Sequence, residues 1–389
     1  MIEGDVDDGY GKVADAFRST FERGKEIGAA CAVYRDGALV VDLWGGHRDK
    51  ARTKRWRRDT MVTVFSTTKG MAAAAMAVAH SRGLFGLDEA VATYWPEFAQ
   101  AGKAAITVRQ LLSHRAGLAV IDEPLDLDVL ADRDDRLASI LAAQRPNWEP
   151  GTMSGYHAHS LGWYQSQLLR RVDPQRRTIG RFFADEVATP LDAAFHIGLP
   201  DDIPAERLAT MYGGKPIGAL LHLHEMPPKL VFAIANPRTL TGRAFNNPKA
   251  LRGISDVNRR DLLRLELPSV NGTGEPRAIA KVYGELATGG AALGITDATR
   301  AELERTVELS PDRIFRLDAA FAMGFMKPFV PFGSGPRAYG HTGAGGSFGF
   351  ADPDTGVGYA YAMNRAGWAL PFDPRDLALR EALAASLAG

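Results

Sequence analysis

The chain has 389 residues, of which 46% are hydrophobic, and 46 basic residues balance 46 acidic ones. This length allows a large core and two domains, while zero net charge argues against nucleic acid or an anionic membrane as the main partner. The single Cys31 excludes an internal disulfide, and its apolar surroundings are typical of a core strand. An acidic start without an apolar leader, and no apolar stretch of about eighteen residues, predict a cytoplasmic protein.

The first segments predict a helix and a hairpin. An apolar residue at every fourth position indicates an amphipathic helix over about residues 8–25. Runs rich in β-forming residues at 29–34 and 38–44 flank Asp36-Gly37, which is a strong signal for a tight hairpin turn. We expect the helix to pack on the sheet that this hairpin begins.

The sequence Phe65-Ser66-Thr67-Thr68-Lys69-Gly70 lies between a β-rich run at 61–65 and an alanine-rich helix predicted over 71–81. If Ser66 begins that helix, Lys69 lies three residues later on the same face, so a hydroxyl and an amine become neighbours. Amide groups at a helix N-terminus also favour an oxyanion. Ser66 is therefore a candidate nucleophile and Lys69 a candidate base. The alternative is a serine cap followed by a solvated lysine.

A lysine must lose its proton before it can act as a base. Its ordinary pKa of about 10.4 has to fall by roughly three units for this to happen near neutral pH. Burial among apolar neighbours or a second cation can lower it. The apolar residues that flank Lys69 in the sequence make burial the expected cause.

The middle of the chain differs in pattern from its two ends. Helical patterns dominate from about 87 to 189, whereas 200–270 is weakly periodic and rich in Gly, Pro and Asn, as in many pocket walls and lids. We interpret 81–270 as an inserted, mainly helical domain with a pocket-forming segment at 200–270. Residues 1–80 and 271–389 then form an α/β domain together.

Three strands and a closing helix are predicted near the C-terminus. The strands lie at 337–341, 347–351 and 357–364, and the helix at 374–387. Strands from both chain ends would then share one antiparallel sheet flanked by helices, an α/β (α+β) architecture. Ser66 would lie where this sheet meets the helical insert.

Two further groups are candidates for the same site. Tyr156 follows a glycine-bearing turn, and beside a lysine ammonium its pKa would fall below about 10, so that it could relay a proton. The alternative is a packed tyrosine whose hydroxyl is satisfied. His341-Thr342-Gly343-Ala344 ends a predicted strand with small residues, so the Ala344 amide can complete an oxyanion hole. The alternative there is a tight hairpin.

In this order, the three motifs resemble those of the serine β-lactamase and penicillin-binding superfamily, on its class C β-lactamase, DD-peptidase and family VIII carboxylesterase side. Ser66 and Lys69 match its Ser-x-x-Lys motif, Tyr156 the tyrosine of its Tyr-x-Asn element, and His341-Thr342-Gly343 its Lys/His-Thr-Gly strand. The resemblance implies that Ser66 is acylated, that Lys69 and Tyr156 exchange its proton, and that the amides of Ser66 and Ala344 hold the oxyanion.

Two departures from β-lactamases favour esters as substrates. Ala158 stands where those enzymes carry an asparagine that contacts the substrate amide, and His341 stands where they usually carry a lysine. We therefore expect a serine carboxylesterase acting on small-molecule, short-acyl esters. A β-lactamase or D-amino-acid peptidase of the same fold is the first alternative, and a non-catalytic ligand-binding relative is the second.

Other histidines and four apolar residues raise separate hypotheses. His157 with His159 and His222 with His224 are His-x-His pairs without a third-ligand pattern, so we expect neither a metal nor a cofactor. No sequence signal defines an oligomeric state. Four apolar residues are candidates for an acyl pocket, although core packing is the expected role of most of them: Phe321, Phe325, Met326 and Phe329.

Gly345-Gly346-Ser347-Phe348-Gly349 matches the Gly-x-Ser-x-Gly elbow of α/β-hydrolases. In that fold the catalytic histidine follows the serine, but no histidine follows His341 in this chain. The elbow also requires a helix after the serine, whereas a strand is predicted here. We therefore predict that Ser347 is not the nucleophile.

Overall fold

Strands from both ends of the chain form one antiparallel sheet of eight strands in the computed structural model. The structure describes residues 2–131, 135–213, 227–251, 253–328, 335–369 and 372–388. Its strands are β1 Ile2–Val6, β2 Gly28–Arg35, β3 Ala38–Gly46, β4 Val62–Thr63, β5 Phe195–His196, β6 Thr273–Gly274, β7 Ser310–Pro311, β8 Asp318–Ala319, β9 Phe321–Ala322, β10 Phe325–Met326, β11 Tyr339–Thr342, β12 Phe348–Asp352 and β13 Val357–Met363. The order in the large sheet is β1-β3-β2-β13-β12-β11-β10-β9.

The predicted hairpin between β2 and β3 is confirmed. Asp36 and Gly37 both have positive φ, +49° and +81°, as a tight two-residue hairpin turn requires. In the centre of the sheet, β2 pairs with β13, and Ala32 lies opposite Ala360. The N-terminal and C-terminal parts of the chain are therefore joined by backbone hydrogen bonds.

Helices cover both faces of the sheet. The helices of the described residues are α1 Gly11–Glu22, α2 Thr68–Ser81, α3 Val91–Tyr94, α4 Val108–Leu112, α5 Leu127–Ala131, α6 Arg136–Ala143, α7 Ser160–Val172, α8 Ile179–Phe183, α9 Pro228–Ala235, α10 Leu240–Asn246, α11 Arg260–Arg264, α12 Pro276–Ala287, α13 Asp297–Glu304 and α14 Pro374–Leu387. On β13, Gly358 allows the backbone of α12 to approach, and the next residue, Tyr359, hydrogen-bonds to Asp376 of α14 at 2.9 Å. Because successive strand residues face opposite sides, α12 and α14 cover opposite faces.

Helices α3 to α11 lie within residues 81–270, the stretch interpreted from the sequence as an inserted helical domain. The domain boundaries near 80 and 270 stay a prediction. No helix in the part of the chain that the structure describes is both long enough and apolar enough to cross a membrane.

The strand predicted over 61–65 is wrong beyond Thr63. Only β4 is extended, and it pairs with β6 in a separate three-stranded sheet rather than in the large one. The chain then turns at Phe65, whose φ is +48°, into a short 3-10 turn over Phe65–Thr67. Tertiary pairing with β6 therefore decides where the strand ends, and a propensity pattern does not contain that information.

Helix α2 lies in the centre of the molecule. Every residue from Thr68 to Ala79 is buried, which is the expected environment for a helix that is apolar on all sides. Its small side chains allow close packing, and a Cβ at Gly70 would collide with the Tyr283 hydroxyl. The N-terminal end of this buried helix holds Lys69 in place.

Candidate active site

The turn that carries Ser66 is held by neighbours on both sides. The Val64 N–H donates to Gly272 O at 3.0 Å, and Val64 O accepts the Ser347 hydroxyl at 2.8 Å. These bonds support the positive φ of Phe65, a conformation that costs a bulky residue of order 1–3 kcal/mol. Ser66 lies in the 3-10 turn, two residues before α2 begins, and is partly buried.

Lys69 is fully buried, and its Nζ lies 3.2 Å from Ser66 Oγ. Burial holds the pKa of this amine well below its usual range, as expected, without help from a second cation. Two backbone carbonyls accept hydrogen bonds from Nζ, Ala158 O at 2.6 Å and Ser269 O at 3.0 Å. With these two carbonyls taking two of its N–H groups, the amine in its neutral form has its lone pair available to the Ser66 hydroxyl.

Tyr156 lines the same cavity as Ser66, and the serine side chain lies close enough to its hydroxyl to affect its pKa. The expectation that a lysine ammonium lowers the pKa of Tyr156 is wrong. Burial raises the pKa of this phenol, and burial also lowers the pKa of the Lys69 amine, which lies 4.7 Å from the ring centroid. Tyr156 therefore retains its proton at rest.

Asp312 positions Tyr156, a role that the sequence patterns did not predict. Its Oδ1 accepts the backbone N–H of Tyr156 at 3.0 Å and that of Phe315 at 2.8 Å, and its Oδ2 accepts the Ser154 hydroxyl at 2.8 Å. Phe315 then stacks on the Tyr156 ring with 4.1 Å between centroids. A lone aspartate after a proline reads as an ordinary turn, so no local signal marks this role.

The third motif lies beside Ser66, and its histidine packs near the Tyr156 ring, with 5.8 Å between the two centroids. His341 is fully buried, its Nδ1 donates to Thr342 O at 2.7 Å, and burial lowers its pKa to about 3. It is not among the described residues that line the Ser66 cavity. Gly343 does line it, and a Cβ there would collide with Ser347 Oγ and Val64 O. Glycine is therefore required at 343 by packing.

Two residues that line the cavity have backbone amides without a protein partner among the described residues. Among the described residues, neither the Ser66 N–H nor the Ala344 N–H has a protein acceptor, whereas the Gly343 N–H is taken by Ser347 O at 2.7 Å. Ser66 and Ala344 both line the cavity. Two free N–H groups beside a nucleophile can stabilise the negative charge that acyl transfer creates.

The cavity at Ser66 has a volume of about 220 Å³. One end is formed by the three motifs, and the remainder is apolar; none of its described lining residues is charged. The apolar lining comprises Leu230, Ile234, Phe245, Phe315 and Leu317. The sequence signal for this lining was the irregular composition of 200–270, which supplies the first three of these residues.

The apolar residues proposed from the sequence for an acyl pocket have another role. Phe321, Phe325 and Met326 are buried in the hydrophobic core, and Phe321 packs on the ring of His114. Phe329 lies outside the described residues. Core packing is thus confirmed for the three that the structure describes.

The histidines near Tyr156 have structural partners. His157 Nδ1 donates to Gly155 O at 2.7 Å, and its Nε2 accepts the Leu118 N–H at 3.1 Å. His114 Nδ1 accepts the backbone N–H of His157 at 2.9 Å. No group of three His, Cys, Asp or Glu side chains within the described ranges is placed to hold a metal; His222 and His224 lie outside those ranges.

We predict that Ser347→Ala lowers kcat for an activated ester by less than about tenfold. Ser347 is buried between two strands, where its hydroxyl bonds to Val64 O and Thr67 Oγ1, so it supports the turn and does not face the cavity. Losing a neutral hydrogen bond costs about 1 kcal/mol. Steady-state kinetics with p-nitrophenyl butyrate test this, and a loss comparable to that of Ser66→Ala would contradict it.

A serine hydroxyl between a buried amine and a buried phenol, with two free amides beside it, defines a serine hydrolase. This chain belongs to the β-lactamase family, whose model matches residues 13–384. It is 33% identical over 374 residues to the esterase/β-lactamase LipL of Mycobacterium tuberculosis. The matched region covers 94% of this chain and 83% of LipL.

Solved structures agree with the family. A family VIII carboxylesterase has a TM-score of 0.85 and 38% identity, with 98% of each chain covered. A penicillin-binding protein homologue from Caulobacter crescentus has a TM-score of 0.84 and 36% identity, covering 99% of this chain and all (100%) of the other. The predicted fold, an antiparallel sheet with helices in a β-lactamase-like arrangement, is confirmed.

Proposed function

We propose that this serine hydrolase is a carboxylesterase that cleaves short-acyl esters of small molecules through an acyl-enzyme on Ser66. The observation that carries the proposal is the cavity into which Ser66 opens. It is apolar, and at about 220 Å³ it is smaller than the sites that enclose drug-sized ligands. A short acyl chain fits such a space, and no charge is needed to hold it.

In the proposed acylation step, Lys69 takes the proton of Ser66 as the serine oxygen attacks the ester carbonyl. The carbonyls of Ala158 and Ser269 hold the amine in the orientation that this transfer needs. The carbonyl oxygen becomes an oxyanion and accepts hydrogen bonds from the N–H groups of Ser66 and Ala344.

The leaving alcohol then needs a proton. Tyr156 still carries its proton, because burial raises its pKa, so it can donate to the leaving oxygen and recover a proton from the Lys69 ammonium. The result is an ester between Ser66 and the acyl group. Water attacks this ester with the proton transfers reversed, which releases the acid and restores Ser66.

A β-lactamase activity is the second candidate, because the relative LipL is named for both activities. The site offers little for a β-lactam carboxylate or amide. His341 is buried and neutral. Ala158 has only a buried methyl group as its side chain, and its backbone carbonyl already accepts a hydrogen bond from Lys69. Acylation by a β-lactam needs only the shared machinery, whereas fast turnover needs those missing contacts.

We expect kcat/KM for p-nitrophenyl butyrate to exceed that for a chromogenic cephalosporin by at least about a hundredfold. Each missing polar or charged contact costs on the order of 1–3 kcal/mol, or roughly ten- to a hundredfold, and two are missing. Parallel assays with Ser66→Ala as the background control measure both values. Comparable values for the two substrates would favour the β-lactamase function.

A further inference from the structure

A buried cluster of charged groups lies behind the glycine-rich loop 343–346. The cluster consists of Glu26, Tyr361, Asp373 and Arg375, each no more than 5% exposed. Glu26 precedes β2, Tyr361 lies on β13, and Asp373 caps α14. The cluster therefore joins three separated parts of the chain directly behind the loop that presents the Ala344 amide.

Arg375 uses all five of its N–H donors. Nε and Nη2 bind the two oxygens of Asp373 at 2.8 and 2.9 Å, a bidentate pair. Nη1 donates to Glu26 Oε2 at 3.0 Å and to Arg365 O at 2.9 Å. The second N–H of Nη2 donates a hydrogen bond to Gly345 O at 3.1 Å. A guanidinium held in this way fixes the carbonyl that it binds.

The loop fits closely against the cluster. Gly345 O also accepts the Gly367 N–H at 2.8 Å. Gly345 and Gly346 have φ of +85° and +114°, and a Cβ at Gly346 would lie 2.7 Å from Asp373 Cβ. The loop backbone thus depends on Asp373 and Arg375 for its position.

We propose that Arg375 is a positioning residue of the active site, which holds the Ala344 N–H in place for the oxyanion by anchoring Gly345 O to the buried cluster. Arg375 is not among the described residues lining the Ser66 cavity, so it acts through the loop and not on the substrate. The inference rests on the proposed esterase function, in which Ala344 N–H serves the transition state.

The acidic partners of Arg375 provide a second way to disturb the cluster. Glu26 faces Arg375, Asp373 and Tyr361, whose hydroxyl donates to Glu26 Oε1. Burial raises the pKa of Glu26 to about 7. Glu26→Gln keeps the size of the side chain and removes its charge, so the variant resembles the wild type at pH 6 and differs from it at pH 8.5.

The first test is Arg375→Lys, with kcat and KM measured on p-nitrophenyl butyrate. Lysine keeps the positive charge, but its single ammonium group cannot make the bidentate pair with Asp373 and also donate to Gly345 O. We expect kcat to fall at least about tenfold, with KM changed less than about threefold. Removing an oxyanion-hole donor lowers kcat by about 10²–10³-fold, and in this variant the Ala344 N–H is displaced and not removed. Arg177→Lys is the matched control, because Arg177 also binds Asp173 in two places and its side chain is only 9% exposed, but it lies in the helical part of the chain.

The control should keep kcat within about twofold of wild type even if both variants lower Tm. If Arg375→Lys keeps wild-type kcat, or if Arg177→Lys loses as much, the positioning role is overturned. A wild type without Ser66-dependent esterase activity would instead refute the proposed function, so the two failures are distinguishable.

Glu26→Gln keeps the proposal testable if Arg375→Lys does not fold. We expect the ratio of wild-type to variant kcat to be at least about threefold at pH 8.5, where Glu26 is ionised and supports Arg375, and close to one at pH 6. A ratio close to one at pH 8.5 as well as at pH 6 contradicts the proposal.

Discussion

Replacing Ser66 with alanine should lower kcat for p-nitrophenyl butyrate by at least about ten thousandfold. Without the hydroxyl no acyl-enzyme forms, and only the free amides of Ser66 and Ala344 remain to assist direct attack by water. The fold should persist, because Ser66 is partly exposed and Lys69 keeps its two carbonyl partners. Steady-state hydrolysis and circular dichroism of the purified variant measure both effects.

Ser347→Ala is the matched control for this experiment, because Ser347 hydrogen-bonds to the same turn through Val64 O. A folded Ser66→Ala protein that still hydrolyses the ester near the wild-type rate would refute the proposed mechanism.

Replacing Lys69 with methionine should lower kcat at least about a hundredfold, the usual scale for a positioned acid–base group. Methionine fills similar buried space but cannot accept the Ser66 proton. The same assay measures this loss, and Lys103→Met is the control. Lys103 is also a buried lysine that donates to three carbonyls, but it is not among the described residues that line the cavity. A Lys69→Met rate within tenfold of wild type would show that another group is the base.

The same variant should change how stability depends on pH. Burial lowers the pKa of Lys69 in the folded protein, so the unfolded chain binds more protons and wild-type stability rises with pH between the lowered pKa and about 10. Lys69→Met lacks this term. Between pH 7.5 and 9.5, the unfolding free energy of wild type should rise relative to the variant by up to about 1.4 kcal/mol per pH unit. Parallel curves from urea unfolding would contradict a neutral, buried lysine.

Local patterns predicted the parts of the fold that depend on neighbouring residues. The turn at Asp36-Gly37 and the closing helix, observed at Pro374–Leu387, were read from short-range signals. The distance between Ser66 and Lys69 likewise follows from helical spacing, and the two atoms lie 3.2 Å apart. Each of these features is set within a few residues of sequence.

Features that depend on distant contacts could not be predicted in the same way. Strand β1 forms by pairing with β3, and β4 ends at Thr63, which pairs with Thr273 at the start of β6. The pKa of Tyr156 depends on burial, which no local pattern reports. Arg375 reaches Gly345 O across thirty residues of chain, and its role is visible only when the buried cluster is assembled.

Covalent labelling with a fluorophosphonate ester probe tests the central claim, that Ser66 is the nucleophile, most directly. The wild type should gain one probe mass and lose its esterase activity in proportion, and peptide mass spectrometry should place the label on Ser66. Ser66→Ala should not be labelled, whereas Ser347→Ala should be. A label on Ser347, or full inactivation with Ser66 unmodified, would contradict the account.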